Sequence, residues 1–335
     1  MAERTAARIV TALGALVAIG AAALLLLGQL GRLHPVPDIA AHLTWHLSGI
    51  LLAGLSATCV AALLRHRAGV RMAIICALVI VLGTVAIPPL RAHLSTPAPL
   101  TGASMQSVPK LPGTLRLVAF NTWHGAPDNG RLEAFVQAVS PDVLFVAEFG
   151  PRRKATTARL TRQLPYVEGC SYSVFCAVAI FSRYPLFDAR IRSRHLRNGP
   201  PSVAATMVVS DAQKVRVVGV HLMRPIDSRW GNRSEVRQIA GEVRRDREAP
   251  GGFPTIVLGD FNLTPCAENF RRFVLRSGLQ HIGRTLPSWP AQPLNAPQLA
   301  IDHAFVSPDI AVVDAWLGPN LGSDHLPLVV DVRLP

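Results

Sequence analysis

A chain of 335 residues that is 50% hydrophobic and only 16% charged, with a mean hydropathy of +0.31, carries too much apolar side chain to remain disordered. Its 25 glycines and 5 cysteines are too few for a collagen-like or a disulfide-framework protein. The length allows about two domains, and the positive hydropathy beside a net charge of +13 places one of them in lipid.

In chain order, the first expectation is three transmembrane helices over residues 9–30, 43–64 and 72–90. These stretches hold 22, 22 and 19 residues without a formal charge, and a span of the hydrocarbon core needs about 20. A cleaved signal peptide fits the first stretch less well, because a signal core is usually about 7 to 15 apolar residues long. Arg65, Arg67 and Arg71 lie between the second and third stretches, and Arg4 and Arg8 precede the first. Such positive charges stay on the cytoplasmic side, so three crossings place everything after Leu90 outside. The predicted organisation is a membrane domain over 1–91, a Pro- and Ser-rich linker over 92–113 and a catalytic domain over 114–335. Residues 92–335 carry 27 Lys and Arg against 19 Asp and Glu, a net +8.

Beyond the linker, short apolar runs predict strands at 115–121, 143–149, 177–182, 203–209, 215–221, 255–260, 302–306 and 326–332. Helical patterns cover 130–139, 152–164, 234–247 and 267–276. Two consecutive strands around Asp211-Ala212 predict an antiparallel hairpin, so the expected class is α/β with mixed sheets. No Gly-rich phosphate loop and no CxxC pair occur. Polar groups collect at the strand ends: Asn121, Glu148, His221, Asp260 with Asn262, Asp302, and Asp324 with His325. Taken singly, each is a turn former; together they mark the edge where open α/β sheets place their sites.

The series NTWHG, VAEFG, VAIFSRYP, GVHL, GDFNLTP, IDHAFV and GSDHLPLVVDV, running from Asn121 to Val332, resembles the endonuclease/exonuclease/phosphatase (deoxyribonuclease I-like) superfamily. The apolar front end is similar to a membrane-tethered bacterial branch that includes teicoplanin-resistance-type phosphatases. The resemblance implies two mixed sheets packed face to face and flanked by helices, a four-layer sandwich. It also implies a divalent ion on Glu148, with Asn121 and Asp324 as further oxygen ligands. Hard oxygen donors without a Cys or multi-His cluster suit Mg²⁺ or Mn²⁺ and not a structural zinc. By the same resemblance Asp260 orients or deprotonates the attacking water and Asn262 holds water or phosphate. His325, fixed by Asp302, and His221 bind the phosphate. Between Gly150 and Arg183 no acidic partner for His221 is evident.

Arg183, Arg229 and Arg233 are candidate phosphate clamps, against the ordinary reading of a solvated arginine. Cys170 and Cys176 flank five residues and, on an extracytoplasmic domain, are a candidate disulfide. The expected substrate is a phosphate ester or pyrophosphate of a lipid or lipid-linked cell-envelope intermediate, since a tethered domain meets such molecules at high effective concentration. A membrane-anchored nuclease is the alternative, weakened by the lack of aromatics among the basic segments. No protein partner is inferred. His303 alternates with Asp302 on its strand and is expected to face the other way.

Overall fold

The computed structural model describes residues 2–63, 109–127, 130–170, 177–194, 197–291 and 298–335. Two compact units divide the chain, one comprising Met1–Pro97 and Cys266–Glu268 and the other Ala98–Pro265 and Asn269–Pro335.

In the first unit the Ala- and Leu-rich start forms one long helix, α1 (Ala2–Gln29), as expected of strong helix formers uninterrupted by proline. A short α2 (Pro35–Ala41) and α3 (Thr44–Leu63) follow. Two small residues let α1 and α3 approach closely: a Cβ on Gly14 or on Gly54 would lie 2.8 Å from the other's carbonyl oxygen. Ile9, Leu13, Leu16, Ile19 and Leu26 are exposed. The run Arg8–Arg32 is by itself long and apolar enough to cross a membrane. The second expected span differs from a simple helix. Pro35–Ala41 and Thr44–Val60 meet the length requirement only together, across a bend of 62°, with Pro35 opening a separate helix. The third expected span, 72–90, and Arg65, Arg67 and Arg71 lie outside the described residues.

Among the described residues the second unit holds twelve strands: β1 (Leu115–Asn121), β2 (Val143–Ala147), β3 (Tyr166–Cys170), β4 (Val178–Ser182), β5 (Leu186–Arg192), β6 (Ser202–Val208), β7 (Lys214–His221), β8 (Thr255–Asp260), β9 (Gln280–His281), β10 (Asp302–Val306), β11 (Ala311–Leu317) and β12 (Leu328–Arg333). Its helices are α4 (Arg131–Val139), α5 (Lys154–Leu160), α6 (Arg229–Glu248) and, from Asn269 on, α7 (Glu268–Ser277). One sheet runs β11-β12-β1-β2-β4-β3 and the other β5-β6-β7-β8-β10-β9. In both, all neighbours are antiparallel except one central parallel pair, β1 with β2 and β7 with β8. The hairpin expected at Asp211-Ala212 joins β6 to β7.

Alternation along the strands divides each into two buried faces. Leu117, Ala119, Phe145 and Ala147 meet Val217, Ile256, Leu258 and Ala304 between the sheets. On the outer face of the first sheet, Val118, Phe120, Leu144 and Val146 pack under Leu132, Phe135 and Val136 of α4. Beyond the second sheet, Phe261 meets Phe273 of α7 edge-on and Phe305 meets it tilted, with ring centroids 5.0 and 4.7 Å apart. The result is two mixed sheets face to face with helices outside.

One contact sets the spacing of the sheets beside their functional edge. The Phe145 ring sits on the bare backbones of Gly219 and Gly259. A Cβ on Gly219 would overlap the ring, and one on Gly259 would come within 2.8 Å of it. Gly259 also holds φ 138° directly before Asp260, a conformation open to glycine. Gly219→Ala is expected to lower the unfolding free energy by about 1–3 kcal/mol in urea titrations. Wild-type stability in that variant would show the ring to be loosely seated.

Candidate active site

The two parallel pairs bring their C-terminal ends to one edge. β1 and β2 deliver Asn121 and Glu148, and β7 and β8 deliver His221 and Asp260 in direct register, with Asp302 opposite Asp260 on β10. One side chain joins the two sheets: Asn121 Nδ2 donates to Glu148 Oε1 at 3.2 Å and to Asp260 Oδ2 at 3.0 Å. Glu148 and Asn262 both hold left-handed backbone, with φ of 54° and 52°. Non-glycine residues adopt it at a cost that surrounding structure must sustain, as at functional sites. In return, the Asn262 backbone N–H donates to Asp260 Oδ1 at 2.8 Å, and its Nδ2 donates to the Leu222 carbonyl at 2.9 Å.

Asp260 is the focus of the site. Its Oδ2 stands 3.7 Å from His221 Nε2 and 3.8 Å from His325 Nε2. These gaps are too long for a direct hydrogen bond and are the kind that one bridging oxygen atom spans. Burial, together with the neighbouring Asp302 carboxylate, pushes the Asp260 carboxyl up to about 7. His325 moves the other way from a buried imidazole. Burial favours its neutral form, but Asp302 Oδ2 at 2.8 Å from Nδ1 outweighs that and raises the ring to about 10. Ser288 Oγ in turn donates to Asp302 Oδ2 at 2.6 Å.

Glu148 faces His221 across 3.8 Å. Burial works against its charge, yet the His221 ring, the His124 backbone N–H at 3.0 Å and the Asn121 amide outweigh it and hold the carboxyl down at about 2. Burial pushes His221 below its usual range. The pair therefore keeps a charged carboxylate beside a neutral imidazole. His124 Nδ1 also contacts Glu148 Oε2. The Glu148 side chain is 20% exposed against 2% for Asp260, so an ionised oxygen ligand reaches solvent beside the Asn121 amide. The Glu148 carboxylate is a hard oxygen donor of the type that suits a divalent ion such as Mg²⁺ or Mn²⁺, while Asn121 turns its Nδ2 toward Glu148 and its Oδ1 to the Trp123 N–H at 3.0 Å. Ligand atoms of Asp260, Asp302 and His325 also lie within 4.8 Å of one another, but His325 Nδ1 is committed to Asp302 and the ring is cationic, which suits anion binding instead.

The structure thus gathers Asn121, Glu148, His221, Asp260, Asn262, Asp302 and His325. Asp324 stands at the rim, where Oδ2 accepts from Trp289 Nε1 at 3.1 Å. Its neighbour Ser323 donates to the Asn121 carbonyl at 2.7 Å, tying this loop to the end of β1. Arg183 Nε pairs with Asp142 Oδ1 at 3.5 Å, at the start of β2 and so roughly 20 Å of strand away from Glu148. Arg233 lines a cavity on α6, and the Arg229 side chain lies outside the described ones. Cys170 ends β3, while Cys176 lies outside the described residues. His303 is 1% exposed, with Nε2 at 2.7 Å from the Leu263 carbonyl, turned away from the site as expected. Among the described residues, the carboxylates facing His221 are Glu148 and Asp260.

The His325–Asp302 pair has a pH signature. Its folded value lies above the free imidazole's 6.5, so its contribution to stability is complete below pH 6.5 and is lost as the pH climbs through about 10. Urea unfolding of wild type and His325→Gln is expected to show a stability gap at pH 6 that closes by pH 10.5. A gap independent of pH would mean that the pair carries no charge.

Two stacked mixed sheets with acid, amide and imidazole groups at a shared edge define a hydrolase fold. Residues 118–325 match the Endonuclease/Exonuclease/phosphatase family, and the chain belongs to it; members of this family are phosphoester hydrolases, nucleases and phosphatases among them. Human Nocturnin's catalytic domain, solved with a bound sulfate anion, matches with a TM-score of 0.54 and 19% identity, covering 68% of this chain and 97% of that one. An endonuclease/exonuclease/phosphatase from Beutenbergia cavernae gives 0.52 and 20%, over 66% and 72%. A humanised D. rerio TDP2 gives 0.52 and 17%, over 66% and 99%. At such identities the likeness is one of fold. No curated protein matches the chain.

Proposed function

We propose that the protein is a divalent-metal-dependent phosphohydrolase anchored in the membrane by its three N-terminal apolar stretches, with the catalytic unit extracytoplasmic. Its substrate is a phosphate ester or pyrophosphate of a lipid or lipid-linked cell-envelope intermediate. The observation that carries the chemistry is Asp260, poised near neutrality between two imidazoles at 3.7 and 3.8 Å. The membrane reading is supported by the exposed apolar side chains of α1 and the arginines flanking the apolar stretches.

Glu148 would hold the metal, joined by Asn121 once its amide turns Oδ1 toward Glu148; the ion when bound polarises a phosphoryl oxygen and stabilises charge on the leaving group. Asp260 takes the proton of the attacking water as the new P–O bond forms and the P–O bond to the leaving group breaks with its electron pair on the leaving oxygen, the Asp260 carboxyl being matched to neutral pH. The Asn262 N–H and the Asn121 amide hold that carboxylate in place. His325, kept cationic by Asp302, donates from Nε2 to a phosphoryl oxygen in the gap it shares with Asp260. His221 faces the same gap as a neutral ring.

Purified full-length protein with Mg²⁺ is expected to hydrolyse polyprenyl or phosphatidyl phosphates and to lose turnover with EDTA. Cleavage of plasmid DNA alone would replace the lipid reading with a nuclease. A membrane-impermeant thiol label on a cysteine placed at Ser104 is expected to react in intact cells, and protection there would put the catalytic unit in the cytoplasm.

A further inference from the structure

The Asp302 carboxylate that orients His325 is held at one oxygen only. Its Oδ2 accepts from His325 Nδ1 at 2.8 Å and from Ser288 Oγ at 2.6 Å, whereas Oδ1 is buried and has no hydrogen-bond partner among the described residues. A carboxylate turns easily about its Cβ–Cγ bond, and its two oxygens are chemically alike. Two donors therefore keep Oδ2 on the imidazole, and one of them is the imidazole being oriented. The other, Ser288, is independent of it.

The direction of the Ser288 hydroxyl is settled by its surroundings. The Asp302 backbone N–H donates to Oγ at 3.3 Å, so Oγ accepts from the main chain of Asp302 and gives its own proton to the side chain of the same residue. Ser288 is fully buried, which leaves solvent no part in this exchange. Its carbonyl accepts from the N–H of Leu326, the residue after His325, at 2.9 Å. The side chain thus sets the carboxylate, while the backbone sets the loop that carries the imidazole. The residues that follow tighten the same grip: Trp289 Nε1 donates to Asp324 Oδ2 at 3.1 Å, and the Ala291 N–H to the Asp324 carbonyl at 2.7 Å.

A methyl group would fill the place of this hydroxyl without needing a partner. The hydroxyl meets a charge instead, and hydrogen bonds to an ionised group are roughly twice as strong as neutral ones. Without it Oδ2 keeps a single donor, and the ring is free to tilt together with the carboxylate. His325 Nε2 stands 3.8 Å from Asp260 Oδ2 across the gap that a phosphoryl oxygen would enter. A misplacement of about 1 Å at such a group can cost on the order of 10²-fold in rate.

We propose that Ser288 is a positioning residue for the hydrolysis: it holds the Asp302 carboxylate so that His325 Nε2 points into the gap shared with Asp260. The proposal rests on the hydrolase reading above. The kinetic arm uses the full chain in detergent with Mg²⁺ and two probes, dihexanoyl phosphatidic acid and bis(p-nitrophenyl) phosphate. S288A is expected to lower kcat about 30-fold on whichever probe the wild type turns over, the scale of one lost hydrogen bond to a charged group, with KM changed less than about twofold. In an H325Q background, which has no imidazole to aim, adding S288A is expected to leave the residual kcat unchanged. The second arm needs no turnover. In protein carrying ¹⁵N-labelled histidine, the proton on His325 Nδ1, assigned by its loss in H325Q, is expected to change its NMR position in S288A because Oδ2 has lost its second donor. The other imidazole signals are expected to stay in place, which shows the fold intact. An unchanged kcat in S288A, a full further loss in the H325Q background, or an Nδ1 proton at its wild-type position would each overturn the proposal. A wild type that cleaves neither probe while the Nδ1 proton still moves in S288A would count against the hydrolase reading and support the coupling of Ser288 to His325, so the two failures are read separately.

Discussion

Asp260→Asn is expected to lower kcat roughly 10³-fold on any phosphoester the wild type turns over, the scale of a lost general base. The substitution keeps the shape of the side chain and the acceptor for the Asn262 N–H, and removes the atom that takes the proton. It also sets an amide against Asn121 Nδ2, now 3.0 Å from a carboxylate oxygen, which costs one hydrogen bond. Electrostatics act in the opposite direction. A carboxyl raised to about 7 from 3.8 binds more protons folded than unfolded, so wild-type stability falls as the pH rises from about 4 to about 7. The neutral amide escapes that loss. At pH 8 the variant is therefore expected to be at least as stable as wild type in urea while being nearly inactive, the opposition of activity and stability expected where a site holds a charge it would not otherwise bury. An active variant would remove Asp260 from the chemistry, and an inactive but unfolded one would leave its role to a different substitution.

Much of this was legible in the chain because the two central parallel pairs are buried on both faces. LRLVAFN, VLFVA, KVRVVGVH and TIVLGD are near-continuous apolar runs, each followed by or ending on a functional group, so strand and site announce each other. The strands that escaped prediction, β3, β5, β9 and β11, are the four edges of the two sheets. An edge strand has one neighbour and is half open to solvent, so β5 reads LFDARIR with its middle exposed, and no periodicity marks it. The same physics hid part of the site. Ser288, Trp289 and Ser323 come from loops, where nothing local signals that a hydroxyl will reach Asp302 or that an indole will reach Asp324. Arg183 misled because it follows a strand as the site residues do, but at the end of an antiparallel strand, which points to the opposite edge.

Arg116→Leu is expected to lower the unfolding free energy by about 3–5 kcal/mol, the cost of stranding one partner of a buried ion pair. Arg116 is 1% exposed and holds Asp331 through two bonds, Nε to Oδ1 at 2.8 Å and Nη2 to Oδ2 at 2.7 Å. The two residues are direct partners across β1 and β12, and the guanidinium lies 5.0 Å from the centre of the Trp316 ring. Five residues beyond Arg116 the same strand presents Asn121, and β12 begins three residues after His325, so the pair fixes the register of two elements that supply the site. Asp331→Leu should cost a similar amount, since it leaves the guanidinium buried beside an apolar side chain. The double replacement is the informative arm. With both charges gone the desolvation penalty goes too, and two leucines can pack in the space. R116L/D331L is expected to recover more than half of either single loss, with the shortfall set by the Val139 carbonyl, which loses the Nη1 donor now at 3.0 Å. Additive losses in the double variant would show that each residue acts through separate partners, and that the pairing itself contributes little to holding β1 against β12.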